Sequence, residues 1–177
     1  IEKINESGNS QVILTERGTS FGYHDLVVDF RSIYWMKKTG CPVVLDVTHS
    51  LQVPNRLSGT AGGHPELIET IAKAGIAAGA DGIFLSTGAA SYEITSEEEY
   101  HHFGRPYDLE VLKAAEKGWF NMMHLHGKYP MFAQLSDYPV QVMNWHDRTA
   151  GPSLAEGSKM FSGALAGGID QFGVLQC

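Results

Sequence analysis

The chain has 177 residues, 43% of them hydrophobic and 10% aromatic, and its 13 basic and 20 acidic side chains give a net charge of −7. This ordinary apolar content with a modest charge excludes a disordered chain and suffices for one hydrophobic core. The acidic balance argues against a nucleic-acid partner, because it supplies no basic surface for phosphates. Since no apolar run reaches the roughly 18 residues of a membrane span, we expect no membrane partner either.

Cysteine usage and the start of the sequence bear on the compartment. The two cysteines, Cys41 and Cys177, have no metal-binding spacing and are too few for a disulfide framework. The chain opens at Ile1 without the charged and apolar regions of a signal peptide. We therefore expect a reducing, cytoplasmic compartment, and an opening without Met indicates a processed chain or a fragment.

Short apolar runs alternate with helical patterns along the whole chain. The runs predicted as strands are 12–14, 42–47, 82–85, 119–125, 140–145 and 164–169. The segments predicted as helices are 26–38, 65–78, 109–117, 131–135 and 153–160. Ser96 is predicted to cap a further helical turn, Glu97–Glu99, whose acids suit the positive end of a helix dipole. Six strands alternating with helices predict the α/β class, with parallel βα units of the kind found in TIM barrels.

The number of strands falls short of a closed barrel. Eight βα units typically need about 250 residues, and this chain has about six strands. We therefore expect residues 1–177 to form a single α/β domain that is a partial barrel, or one that is completed by a second copy. Uncovered strand edges favour pairing between chains, so a homodimer or higher oligomer is expected.

Two long motifs in the first half carry a family resemblance. Residues 14–32 read LTERGTSFGYHDLVVDFRS and residues 40–55 read GCPVVLDVTHSLQVPN. They strongly resemble deoxy-octulosonate phosphate (Kdo-phosphate) synthases, barrel enzymes that condense phosphoenolpyruvate with arabinose 5-phosphate. The likeness covers residues 1–84 and implies the last three strands of that barrel, while the first five βα units have no counterpart here.

The second half resembles a different family. The segments GADGIFLSTGAAS, SEEEYHHFGRPYDLEVLKAAEKGWFNMMHLHG and DYPVQVMNWHDRTAGPSLAE, within residues 79–177, are similar to the uroporphyrinogen decarboxylase family. This resemblance implies the fifth to eighth barrel strands. We interpret the chain as a splice of a synthase-like segment, 1–80, and a decarboxylase-like segment, 81–177, with its seam between Gly75 and Ser86. An engineered chimera is the simplest origin, and a natural fusion is the alternative.

The synthase resemblance assigns roles to several residues of the first half. Arg17, in TERG, corresponds to the arginine that holds the phosphoenolpyruvate phosphate, and its alternative role is a strand-end ion pair with Glu16 or Asp46. His49 corresponds to one of four metal ligands, of which the other positions are missing or changed, so a hydrogen-bonded strand-end histidine is the alternative. Asp46 and Gln52 fall in the same motif and are candidates for lining a substrate pocket.

The decarboxylase resemblance implies that this half has no complete catalytic set. Ser86 corresponds to a serine that contacts substrate propionates, and His146 occupies a pocket position after a strand. The catalytic aspartate and an important histidine of that family have no counterpart here. We therefore assign no catalytic residue, and we take Ser86 and His146 as substrate-binding candidates.

His124 and His126 are a candidate metal site from spacing alone. Residues i and i+2 of a strand share a face, so both rings can face one cleft. His146, at the next strand end, could complete a three-histidine site for Zn²⁺ or a similar ion. The alternative is that the rings are packed structurally with backbone partners, and no cofactor is then expected.

Three functions follow from these patterns. The first is a barrel-derived scaffold without complete catalysis that retains phosphate or other anion binding. The second is an aldol-type transferase acting on phosphoenolpyruvate with help from a second chain. The third is a uroporphyrinogen decarboxylase-like protein, as the second resemblance implies, or a metal or small-molecule binder. The binder would use strand-end side chains, namely Arg17, His49, Ser86, His126 and His146.

Overall fold

A computed structural model of the chain describes residues 1–23, 25–53, 62–170 and 173. Positions 54–55, at the end of the second synthase-like motif, and Cys177 lie outside these described residues. The chain divides into two compact units. The first comprises Ile1–Phe84 and Lys117–Trp119, and the second comprises Leu85–Glu116 and Phe120–Cys177.

The described residues form ten strands and seven α-helices. The strands are β1 (Leu14–Glu16), β2 (Ser20–Gly22), β3 (Asp25–Val27), β4 (Val43–Asp46), β5 (Gln52–Val53), β6 (Gly62–Gly63), β7 (Gly82–Thr87), β8 (Met122–Leu125), β9 (Val142–Trp145) and β10 (Ala164–Ala166). The helices are α1 (Glu2–Glu6), α2 (Arg31–Lys37), α3 (Ile68–Ala77), α4 (Glu97–Phe103), α5 (Arg105–Ala114), α6 (Phe132–Leu135) and α7 (Leu154–Met160). Short 3-10 helices cover His49–Leu51 and Pro65–Leu67.

Six of the strands form one sheet in the order β1-β4-β7-β8-β9-β10. The registered pairs β1–β4, β4–β7, β8–β9 and β9–β10 are all parallel. The predicted α/β class and its six strands, which alternate with helices, are therefore confirmed. Within the described residues, β1 and β10 each pair with a single neighbour, so the sheet does not close into a barrel.

The first unit is built around β4, all four residues of which are buried. An apolar run without alternation is typical of a strand covered on both faces of a parallel sheet. Helix α3 approaches this strand closely at Gly75, where a Cβ atom would lie 2.5 Å from Leu45 Cδ2. A second cluster of buried residues, Ile33, Val43 and Ala80, fixes α2 against the start of β4.

The predicted helix at 26–38 is wrong in its first part. Residues Asp25–Val27 form β3, which pairs antiparallel with β2, and the helix begins only at Arg31. The Asp29 carboxylate accepts the Arg31 backbone N–H at 3.0 Å, which favours a helix start at this point. The β-branched pair Val27 and Val28 favours an extended chain before it.

The second unit contains two helix starts with complementary capping contacts. Ser96 accepts the Glu99 backbone N–H, and the Glu99 carboxylate accepts the Ser96 N–H. Ser153 and Glu156 repeat this capping box at α7. The predicted cap at Ser96, with acids in the first turn, is therefore confirmed, and each box satisfies two backbone donors that a helix leaves unpaired.

The α-helices of the described residues are short, between four and ten residues each. None of them combines the length and the hydropathy that a bilayer span requires.

Asp81 holds three parts of the first unit together. Its carboxylate accepts the Val43 backbone N–H at 2.8 Å, the Trp119 Nε1–H at 2.9 Å and the Lys37 ammonium at 2.7 Å. Burial opposes ionisation of this group, but these hydrogen bonds outweigh burial and lower the Asp81 pKa. The carboxylate therefore stays charged and anchors the start of β4 to the end of α2.

We expect Asp81→Ala to lower the free energy of unfolding by about 2–3 kcal/mol, because it leaves the buried Val43 N–H without its acceptor. Urea denaturation monitored by circular dichroism measures this change. The matched control is Glu69→Ala, which removes a surface pair with Lys73 on α3 and is expected to cost under about 0.5 kcal/mol. Equal small losses for both variants would contradict the anchoring role.

Candidate functional site

Arg17 directly follows β1, at the carboxyl end of the strand. The loop around it is fixed by Glu16, which is buried and accepts the Gly18 backbone N–H at 2.7 Å and the Ser32 hydroxyl. Gly18 has a φ of +81°, a left-handed conformation that favours glycine and turns the chain immediately after the arginine. The side chain of Arg17 remains 57% exposed, so its backbone is held in place while its guanidinium faces solvent.

Asp46, at the carboxyl end of β4, is only 4% exposed and organises the turn that follows. One carboxylate oxygen accepts the backbone N–H groups of Thr48 and His49, at 3.1 and 2.8 Å. The other oxygen lies 2.9 Å from His49 Nδ1 and 3.9 Å from Arg17 Nε. Arg17, Asp46 and His49 are thus brought together in the first unit, with the carboxylate between two cationic or polar partners.

The other substrate-binding candidates lie on different elements. Gln52 lies in β5, opposite Gly63 of β6, and is half-buried. Ser86 lies in β7 and His146 directly follows β9, and both residues belong to the second unit. These placements describe where the residues lie, and their substrate roles stay predictions.

The three histidines His124, His126 and His146 come together in the second unit. His124 lies on β8, His126 follows its last residue, and His146 follows the last residue of β9. The ring centroids are 5.3 Å apart for His124 and His146, 5.5 Å for His126 and His146, and 6.0 Å for His124 and His126. One potential ligand nitrogen of each ring lies within 4.8 Å of the others.

His49 belongs to no comparable group. Across the described ranges, the histidine triplet of the second unit is the one set of three histidine, cysteine or acidic groups close enough to hold a metal ion. The Nδ1 atom of His49 is instead engaged with Asp46. The described residues therefore do not fit the metal site that the synthase resemblance implies at His49.

Asn144 is a contributor to the histidine cluster that the sequence reasoning missed. Its Oδ1 atom lies 2.5 Å from His124 Nδ1, and its Nδ2 group donates to the Ala166 carbonyl at 2.8 Å. An amide has one acceptor and one donor end, so the bond to Ala166 fixes the oxygen toward His124. The available signal was the spacing of Asn144 two residues before His146, on the same face of the strand.

The rings of the cluster differ in burial, since His146 is half-buried whereas His126 is exposed beside a cavity. Burial, and then the electrostatic interaction with His126, lowers the pKa of His146 below its usual range. His126 is exposed and lines a cavity of about 400 Å³ together with Gly88, Ala89, Glu93, Ile94 and Gly127. A small ligand could therefore reach the ring of His126 from this cavity.

A second polar network in this unit joins residues that lie within the decarboxylase-like segments but were not candidate site residues. The Asp108 carboxylate accepts the hydroxyl groups of Tyr100 and Tyr138, the latter at 3.2 Å, and the two hydroxyl oxygens are 3.0 Å apart. Burial raises the pKa of Asp108 to about 6, although both tyrosine hydrogen bonds and the charge of Arg105 act in the opposite direction. Burial also raises the pKa of both tyrosines. The network therefore joins α4, α5 and the segment after α6 through a carboxyl group that titrates near neutral pH.

Comparison with known proteins places the first half of the chain. Residues 1–99 match the model of the DAHP synthetase I family. The 2-dehydro-3-deoxyphosphooctonate aldolase of Nitratidesulfovibrio vulgaris (strain DP4) is 53% identical over 85 residues, which cover 48% of this chain and 31% of the relative. The protein of the same name from Francisella philomiragia is 44% identical over 97 residues, covering 55% of this chain and 35% of the relative. The chain thus spans about a third of the length of these relatives.

A solved structure, a methyltransferase from Methanosarcina mazei, is similar with a TM-score of 0.48 and 18% identity, and the match covers 58% of this chain and 31% of the methyltransferase. The family match runs to residue 99, past the predicted seam between Gly75 and Ser86. The resemblance to Kdo-phosphate synthases is supported at the family level. These findings give no support to the decarboxylase resemblance or to a spliced or engineered origin, which stay predictions.

The raised pKa of Asp108 predicts a pH-dependent stability. Its pKa rises from 3.8 in the unfolded chain to about 6 in the folded protein, so the folded state binds the proton more tightly. This contribution is complete below about pH 4 and is lost as the pH rises through 6, a change of about 3 kcal/mol. Urea denaturation between pH 4 and 7 should show this loss in the wild type relative to Asp108→Asn. Parallel pH profiles of the two proteins would contradict the assignment.

Proposed function

Because the chain belongs to the DAHP synthetase I family, we propose that its first unit is the phosphate-anchoring part of an aldolase-type enzyme. In this proposal the chain binds phosphoenolpyruvate through Arg17 and does not complete the condensation by itself. The observation that carries the proposal is the side chain of Arg17, held at the carboxyl end of β1 with 57% of its surface exposed.

The chemistry of Arg17 suits a phosphate. A guanidinium presents a planar set of N–H donors that matches two phosphate oxygens at once. Among the described residues, its ion-pair contact is a single one, from Nε to Asp46 Oδ2 at 3.9 Å. That distance is too long for a direct hydrogen bond, so this contact does not use the N–H donors of the Arg17 guanidinium. The carboxyl ends of parallel barrel strands are also where substrates of such folds bind.

Asp46 helps to position Arg17 but does not occupy the N–H donors that would bind a phosphate. Its oxygens already accept two backbone N–H groups and lie beside His49 Nδ1. These contacts compensate the buried negative charge of Asp46. The carboxylate therefore attracts the Arg17 side chain toward the strand end without a direct hydrogen bond to it. In this proposal Asp46 and His49 position Arg17, and Gln52 lines the substrate pocket of the first unit.

The aldol condensation itself requires more than this chain carries. The named relatives are about three times as long as the matched segment, and the described residues lack a metal site at His49. We propose that phosphoenolpyruvate binds but does not react with arabinose 5-phosphate unless further βα units are supplied. Self-association through the edge strands β1 and β10 is the proposed route by which a second copy contributes.

We expect Arg17→Ala to weaken phosphoenolpyruvate binding by about 10- to 100-fold, because it removes charge-assisted hydrogen bonds to the phosphate. Isothermal titration calorimetry on the full chain measures the affinity, with inorganic phosphate as the second ligand. The matched control is Arg31→Ala, which removes an exposed arginine of the same unit that pairs with Asp29, and should leave binding unchanged. Equal affinities for both variants and the wild type would refute the role of Arg17.

Two further measurements bear on the incomplete reaction. Release of phosphate from phosphoenolpyruvate and arabinose 5-phosphate should not exceed the rate of the Arg17→Ala variant, and robust turnover would show a complete site.

Size-exclusion chromatography with light scattering should give a dimer or a larger assembly. A stable monomer would refute the proposed self-association.

A further inference from the structure

The histidines of the second unit are placed by strand register and not by a local motif. β8 and β9 are parallel, with His124 opposite Asn144 and Leu125 opposite Trp145. The next residue on each strand is therefore a histidine, His126 and His146, so these two rings emerge side by side. Since His124 lies two residues before His126, its ring shares their face and completes a triangle.

We propose that His124, His126 and His146 form a binding site for a borderline divalent cation of the zinc class. Three imidazole nitrogens and one open position make up a recurrent coordination set for Zn²⁺. Nitrogen ligands without carboxylates select against Mg²⁺ and Ca²⁺, which prefer oxygen. The observation behind the proposal is that three potential ligand nitrogens lie within 4.8 Å of one another.

The surrounding hydrogen bonds orient His124 for this task. An imidazole that donates its Nδ1–H to Asn144 Oδ1 carries the lone pair on Nε2, the form in which it binds a metal. The Ala166 carbonyl, which accepts from Asn144 Nδ2, fixes the amide so that its oxygen faces the histidine. Ala166 is also the register partner of Asn144 in β10, so three neighbouring strands contribute to this one orientation. Such outer contacts typically accompany metal-binding histidines.

To bind a zinc ion, the three ligand nitrogens must move only slightly closer together. Ligand nitrogens about 2.0–2.1 Å from a tetrahedral zinc ion lie about 3.3 Å apart, against the 4.8 Å limit that holds here. His126 is exposed, so rotation of its ring can close the triangle without disturbing the core. The cavity of about 400 Å³ beside His126 leaves space for water or a small anion at the fourth position.

The test titrates the full-length chain with zinc chloride by calorimetry and, separately, with Co²⁺, whose visible spectrum reports tetrahedral nitrogen coordination. We expect one ion per chain and a tetrahedral cobalt spectrum. His126→Ala should weaken binding by about 100-fold or more and abolish that spectrum, since a direct ligand matters at least as much as an outer contact. The matched control is His102→Ala, an exposed histidine on α4 of the same unit, which should bind like the wild type.

Substitutions of Asn144 distinguish a metal site with oriented ligands from nonspecific binding of zinc to surface histidines. Asn144→Ala should weaken zinc binding by about 10- to 100-fold, whereas Asn144→Asp keeps an acceptor oxygen for His124 and should retain most of the affinity. Circular dichroism confirms that each variant is folded. Absence of zinc binding in the wild type, or equal affinity in wild type and His126→Ala, would overturn the proposal. Because none of these readouts involves phosphoenolpyruvate, the result is independent of the function proposed for the first unit.

Discussion

The parallel register of the strands is the constraint on which both candidate sites depend. In a parallel ladder the carboxyl ends of neighbouring strands meet at one edge, so residues that follow the strands become neighbours whatever their separation in sequence. Arg17, which follows β1, meets Asp46, the last residue of β4, and His126 and His146 meet after β8 and β9. The paired strands bury apolar residues to hold this register, and the polar residues after them carry the chemistry.

Strong local signals were sufficient to predict most of the architecture. The apolar run at 42–47 and the capping residue Ser96 each specify their structure within a few residues, and the structure agrees with both. The prediction failed at 26–38, where an apolar pattern with helical spacing also fits a short hairpin strand followed by a helix. Choosing between them depends on pairing with Ser20–Gly22, a contact that spacing within the segment does not encode.

The sites follow the same division between local and non-local information. Alternation along a strand places His124 and His126 on one face, and a strand end at Trp145 places His146 beside them, so the cluster was accessible from the sequence. The same alternation places Asn144 on the face of His146, but its contact with His124 depends on which residue of β9 lies opposite, a matter of exact register. The network of Tyr100, Asp108 and Tyr138 was also missed, since it joins two helices and a loop through side-chain contacts that spacing along the sequence does not reveal.

What distinguishes a positioning group from a binding group in this chain is where its hydrogen-bonding capacity is used. Asp46 and Asp81 are nearly buried carboxylates whose oxygens accept several donors, so they stabilise the strand ends and have little capacity left for a ligand. Arg17 and His126 are exposed groups held on fixed backbones, so they can meet a ligand without a large loss of chain entropy. By this criterion Arg17 is the binding group of the anion site that we propose for the first unit, where the family relation lies. The histidine cluster arises from the packing of the second unit alone, and it requires a separate chemical explanation.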